Sequence, residues 1–240
     1  MSLIAKIISL RTSINNIQSL GVSDEQASHF EKRAKELGAV SAKLIEASSA
    51  FSNLIQYNIQ INLDNDNILQ HKNKLVKIRD AFKNDPESIL ESDNGKDLRH
   101  TFLVPFSNLP TTLINTLSLS WTDWCNSRIP QISSEVLSVL ENVGSIKTKI
   151  HDLKTLKKSI NDFVSSLPDS TSEIERFLAK VKEFSDQWDT LGGNDIPPEA
   201  ISFLRDAGQY AGADIDLLTN SISNWLSSHG LHKSLRIRIV

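Results

Sequence analysis

A chain of 240 residues has room for one large domain, or for a main body with a small appendage. Its hydrophobic fraction of 39% and charged fraction of 23% are those of an ordinary globular protein, which excludes wholesale disorder. The net charge of −3 excludes a general electrostatic attraction to nucleic acid or to anionic membranes. The single cysteine, Cys125, cannot form an internal disulfide, and its apolar surroundings predict a buried, inert thiol.

Helical heptads dominate the first half of the sequence. Apolar residues at alternating spacings of four and three predict a first helix over residues 2–19, ended by Gly21. A longer helix follows, in which a row of bulky residues and a row of small residues both recur every seven positions. A turn at residues 63–67 precedes a third helix. Residues 83–100 are charged and predict an exposed connection to an apolar helix that begins near Pro110.

The most regular pattern is an apolar seam from Ile132 to Leu167. Its members, again four and three residues apart, are Ile132, Val136, Val139, Val143, Ile146, Ile150, Leu153, Lys157, Ile160, Val164 and Leu167. The seam predicts one helix over residues 130–167, turned toward a neighbouring helix along its whole length. Lys157 interrupts the seam. Such a residue either fixes register or oligomeric state, or extends its long stem to solvent. Gly144 lies just outside the seam, and we expect it to weaken this helix by about 1 kcal/mol without disrupting its packing.

A fifth heptad run, over residues 174–191, follows a short turn and predicts an antiparallel hairpin with the seam helix. The composition changes at residues 191–198, which predicts a domain boundary. Beyond it, two short helices and an alternating strand pattern at residues 235–240 have the outline of a winged-helix-like unit. We therefore predict an all-α fold, with an elongated antiparallel helical bundle and coiled-coil-like packing over residues 1–191. A small winged-helix-like tail over residues 192–240 ends in a short strand.

The sequence contains no signature of catalytic chemistry. A P-loop, a dinucleotide-binding fingerprint, a nucleophile elbow and a zinc-protease motif are all absent. The histidines lack zinc-ligand spacing, and the Asp/Asn run at residues 63–67 lacks the Gly and Glu of a calcium loop. We therefore expect no enzymatic activity, no metal and no cofactor. The uncharged window at residues 101–122 is too polar for a membrane span, so we expect a soluble, cytoplasmic protein.

Two sets of side chains are candidates for binding a partner. Trp121 and Trp124 line one side of the apolar helix; a core position is the plainer interpretation, and an anchor for a protein partner is the other. Lys157 joins these two tryptophans as a candidate partner-binding residue. A second set would contact nucleic-acid phosphates, although its members also suit the solvated faces of a helix and a strand. These residues are Lys147, Lys154, Lys158, Lys233, Arg236 and Arg238.

These patterns favour a non-enzymatic scaffold or accessory subunit that binds another protein in a larger assembly. Accessory subunits of bacterial nuclease, ATPase or phage-defence assemblies often have this helical character, and the composition fits a bacterial protein. The alternative is a DNA-associated protein that uses the winged-helix-like tail. The sequence leaves the partner's identity and the oligomeric state open.

Overall fold

A computed structural model of the chain describes six stretches, residues 3–17, 24–89, 104–132, 134–191, 196–207 and 213–231. Across these stretches the fold is all-α, with nine α-helices and short 3₁₀ turns and without a β-strand. None of the helices in them combines the length and the apolar character that crossing a bilayer requires. The chain forms two compact units. Unit 1 comprises Met1–Asp123 with Leu167–Thr171, and unit 2 comprises Trp124–Ser166 with Ser172–Val240.

Unit 1 is built from long amphipathic helices. They are α1 (Leu3–Ile17), α2 (Asp24–Gln56), α3 (Asn65–Asn84) and most of α4 (Val104–Asn126), which passes into unit 2 after Asp123. α1 packs on α2 and α3. The predicted bulky row of α2 lies in this core, where Phe30, Leu37 and Leu44 are buried. Heptad spacing therefore identified the buried positions of the bulky row as far as Leu44, whereas Ser48 and Ile55 of the small row are exposed.

The start of α3 is encoded locally. The side chain of Asp64 accepts a hydrogen bond from the backbone N–H of Asn67 at 3.0 Å. This bond satisfies one of the backbone N–H groups that have no partner within the helix at its N-terminus. Six residues earlier, Asn58 has a φ of +55°, a left-handed conformation that asparagine tolerates in turns. The turn predicted at residues 63–67 thus coincides with the N-cap and first turn of α3.

Unit 2 contains the remaining described helices. They are α5 (Ser134–Leu140), α6 (Lys147–Val164), α7 (Thr171–Asp189, from its second residue), α8 (Pro198–Ala207) and α9 (Asn220–Ser228). α5 packs on α6, and α8 packs on α9. The fifth heptad run forms α7, whose apolar row of Ile174, Phe177, Val181, Phe184 and Trp188 is buried.

The prediction of one long seam helix is wrong. α5 ends at Leu140, and a 3₁₀ turn at Gly144–Ile146 leads into α6. Val143 stands between them in an extended conformation, with φ −87° and ψ 107°. The run Asn-Val-Gly at residues 142–144 contains three poor helix formers, and folding α5 back onto α6 buries Leu137 and Leu140. Gly144 therefore lies where the helix is interrupted, and the expectation that it only weakens a continuous helix is wrong.

The tail contains both short helices that the sequence predicts. α9 begins after Thr219, whose side chain accepts a hydrogen bond from the N–H of Ile222, and is followed by Gly230 with a φ of +67°. The predicted strand at residues 235–240 lies outside the described residues. The winged-helix-like outline, the bundle packing and the domain boundary after residue 191 therefore stay predictions.

Candidate interaction surface

Two aromatic rings in unit 2 contact the ring of Phe177, Trp124 in a tilted geometry and Phe163 edge-on. Phe177 lies on α7 and is fully buried. Its ring centroid is 5.9 Å from that of Trp124, near the end of α4, and 6.5 Å from that of Phe163, near the end of α6. Trp124 and Phe163 are half-buried. Three helices thus converge on one buried ring and present two aromatic side chains near the surface.

An arginine lies over each of these two half-buried rings. The guanidinium carbon of Arg128 is 3.8 Å from the Trp124 ring centroid, and that of Arg176 is 5.7 Å from the Phe163 centroid. Both arginines are exposed, and such cation–π contacts contribute about 0.5–1 kcal/mol each at exposed sites. We call Trp124, Arg128, Phe163, Arg176 and Phe177 the aromatic–arginine cluster.

Hydrogen bonds position both arginines. One nitrogen of Arg128 donates to the carbonyl of Trp124 at 3.2 Å and to the Ser127 hydroxyl at 3.1 Å. Arg176 donates to the Glu173 carboxylate at 3.1 Å, one turn earlier on α7. A guanidinium has five N–H donors in a planar fork that matches a carboxylate. The arrangement therefore suits recognition of a segment that combines apolar and acidic side chains.

Cys125, beside Trp124, is not suited to nucleophilic chemistry. Its side chain is completely buried, as predicted, and burial raises the pKa of the thiol to about 12, an effect that nearby Arg128 only partly offsets. The thiol is therefore protonated at neutral pH. In the described stretches, no group of three or more His, Cys, Asp or Glu side chains is placed to hold a metal ion.

The two tryptophans lie in different environments. Trp121 is 1% exposed and belongs to unit 1, which favours the core role for it, whereas Trp124 is near the surface in unit 2. Sequence reasoning missed Arg128, although its spacing of four residues from Trp124 is a usable signal near a helix end. Phe163 and Arg176 come together where α6 meets α7. The short turn between these helices predicts that they meet, but it does not specify which side chains face each other.

Lys157 makes its contacts within the chain. Its ammonium donates to the backbone carbonyl of Ile132 at 2.5 Å and lies 3.5 Å from the Ser134 hydroxyl. Lys154 on the same helix pairs with Glu141 at 2.5 Å. This hydrogen bond and the lysine's charge hold the pKa of the Glu141 carboxyl below its ordinary value. Both lysines thus tie α6 to the α5 region that precedes it.

The predicted nucleic-acid residues are brought together only in part. Lys147, Lys154 and Lys158 follow one face of α6 together with His151, at steps of four, three and four. Lys147 and Lys158 are exposed, but Lys154 is engaged by Glu141. The three basic residues of the tail, Lys233, Arg236 and Arg238, lie outside the described residues.

A separate groove of about 350 Å³ lies in unit 1, where α2 ends and the chain turns toward α3. Its lining consists of Phe51, Ile55, Ile59, Ile61, Asn62, Leu63 and Asn65. It contains no ionisable side chain, so it offers no acid, base or nucleophile for catalysis. No protein-family model, curated protein or solved structure matches the chain.

Proposed function

We propose that this chain is a non-enzymatic accessory or scaffold subunit that binds another protein through the aromatic–arginine cluster. The observation that supports this most is the placement of exposed Arg128 and Arg176 over half-buried Trp124 and Phe163. Tryptophan and arginine are the residue types most enriched where protein–protein binding energy concentrates. Buried Phe177 contacts the rings of both Trp124 and Phe163 and holds them in place, so a partner would bind a surface that is already ordered.

The expected partner segment carries carboxylates next to apolar side chains. Carboxylates suit the guanidinium groups, and apolar side chains suit the exposed parts of the two rings. A bacterial nuclease, ATPase or phage-defence assembly remains the predicted setting, and the cytoplasm the predicted location, both on grounds of composition and helical character.

Affinity purification from the native host tests this proposal. We expect the wild-type chain to recover one protein at fixed stoichiometry, and the Arg128→Ala/Arg176→Ala variant to lose it. The matched control is Lys35→Ala/Lys182→Ala, which removes two exposed cations that also pair with carboxylates. Retention of the partner by the arginine variant would contradict the proposal, and so would recovery of the chain alone as a monomer.

The alternative, a DNA-associated protein, has narrower support. It depends on the basic face of α6, where Glu141 already engages Lys154, and on a tail whose basic residues the structure does not describe. Binding to nonspecific duplex DNA at two salt concentrations distinguishes the two functions, because phosphate contacts weaken steeply with salt. Salt-sensitive binding that disappears in a Lys147→Ala/Lys158→Ala or a Lys233→Ala/Arg236→Ala/Arg238→Ala variant would favour the alternative.

A further inference from the structure

The apolar seam continues through the break between α5 and α6. Its spacing of four and three residues holds from Val136 and Val139 through Val143 and Ile146 to Ile150, with no slip where the helix is interrupted. Val143 and Ile146, which lie in the interruption itself, are buried like the seam residues of α6, so the apolar period runs on through the turn. The apolar period of this region is therefore that of a single continuous helix, although Asn142, Val143 and Gly144 within it are poor helix formers.

The break lacks the usual signals of a helix start. Ile146 occupies the N-cap of α6 and offers no side-chain hydrogen bond, although Ser, Thr, Asp and Asn are strongly preferred there. The first turn of α6 carries no acidic residue but contains Lys147 and Lys149, whose charge has the unfavourable sign at this end of the helix dipole. Asp64 before α3 and Thr219 before α9 provide such caps. The start of α6 is thus imposed by packing more than by local sequence.

Two lysine contacts hold α5 in the folded-back arrangement. Lys154 bonds Glu141 across 13 residues, and Lys157 bonds the carbonyl of Ile132 across 25 residues. At about 1.5 Å of rise per residue, these pairs would be roughly 20 Å and 38 Å apart in a continuous helix. Both contacts therefore exist only while α5 lies against α6.

We propose that residues 134–164 are a conformational switch between this folded-back hairpin and one continuous helix, with residues 141–146 as its hinge. Lys154 and Lys157 are the latch of the folded-back state. Opening releases both lysines, restores the helical hydrogen bonds across the hinge, and aligns the seam along a single helix face. This proposal does not depend on the identity of any partner.

Distance measurement between two spin labels in the full chain tests the switch. Labels at Ser138 and Lys158, both exposed, would be about 30 Å apart in a continuous helix and much closer in the hairpin. The native Cys125 should take up no label because it is buried, which labelling of the otherwise unchanged chain verifies. We expect the short distance to dominate, and Lys154→Met/Lys157→Met to raise the 30 Å population several-fold.

Two substitutions of Gly144 act on the hinge in opposite directions. Gly144→Ala should raise the 30 Å population because alanine favours an α-helix. A Cβ there meets no atom within 4 Å in the folded-back state, so the substitution does not act through a clash. Gly144→Pro should abolish that population even in the lysine variant, because proline breaks a helix interior. The folded-back state accepts this proline, since Val143 already has the extended conformation that precedes proline.

The control is Lys180→Met/Lys182→Met on α7, which should leave the distance distribution unchanged. A lysine variant and a Gly144→Ala variant that both keep only the short distance would overturn the proposal. A 30 Å population that survives Gly144→Pro would overturn it as well.

Discussion

The substitution Lys157→Met tests whether Lys157 destabilises the fold as a charged residue in an apolar seam or stabilises it through a hydrogen bond. The two interpretations predict stability changes of opposite sign. A lysine at a core position of a coiled-coil seam lowers stability, so an apolar replacement should raise the melting temperature. In the structure, however, the Lys157 ammonium donates to the carbonyl of Ile132. A hydrogen bond to a charged group contributes about 1.5–3 kcal/mol, and methionine keeps the packing of the stem while losing this bond.

For a chain of this size, each 1 kcal/mol changes the melting temperature by roughly 2–4 °C. We therefore expect Lys157→Met to melt about 3–12 °C lower than the wild type, as measured by calorimetry or by circular dichroism at 222 nm. The control is Lys158→Met at the exposed neighbouring position, where surface substitutions usually change stability by less than about 0.5 kcal/mol. A higher melting temperature for Lys157→Met would refute the assigned contact.

Three further substitutions or titrations test individual parts of the structure. Gly38→Ala should raise the free energy of unfolding, measured in urea, by up to about 1 kcal/mol, because alanine has a higher helix propensity than glycine within α2. The new Cβ would lie 3.3 Å from the guanidinium of Arg11, which is the flexible end of a side chain. A loss of stability would show that Arg11 cannot move. Gly230→Ala should cost about 1 kcal/mol, since alanine is strained at a φ of +67°, and an unchanged urea midpoint would contradict that backbone conformation. Between pH 9 and 12 the folded state keeps the Cys125 proton while the unfolded state loses it, so the free energy of unfolding should fall by at most about 1.4 kcal/mol per pH unit from this group. The Cys125→Ala variant should lack that part of the decline, and rapid alkylation of native Cys125 at pH 8 would contradict its burial.

Much of the secondary structure could be predicted from periodicity, because each long helix has one buried face. The heptad row of α7 is buried, and so is the bulky row of α2 at Phe30, Leu37 and Leu44, whereas the small row of α2 ends at exposed Ile55. The two tail helices lie where composition and turn residues place them. The seam is the exception. Its phase fits a continuous helix as well as it fits a hairpin, but only the hairpin is observed, and there Leu137 and Leu140, which lie off the seam, are buried too.

What decides between these arrangements is contact between residues far apart in sequence. Lys157 reaches Ile132, and Lys154 reaches Glu141, only after the chain has turned back. The aromatic–arginine cluster has the same origin, because α4, α6 and α7 each supply part of it. Trp124 could be suspected from residue type alone, whereas its surroundings follow from tertiary packing.

Site-specific photo-crosslinking in the native host tests the proposed protein-binding function most directly. A photoreactive residue at Ser172, exposed and one turn before Arg176 on α7, probes the aromatic–arginine cluster, and the same residue at exposed Lys77 on α3 of unit 1 is the control. We expect a crosslink to one protein from position 172 and none to that protein from position 77. No crosslink from position 172, or the same protein crosslinked equally from both positions, would contradict the assignment of this surface.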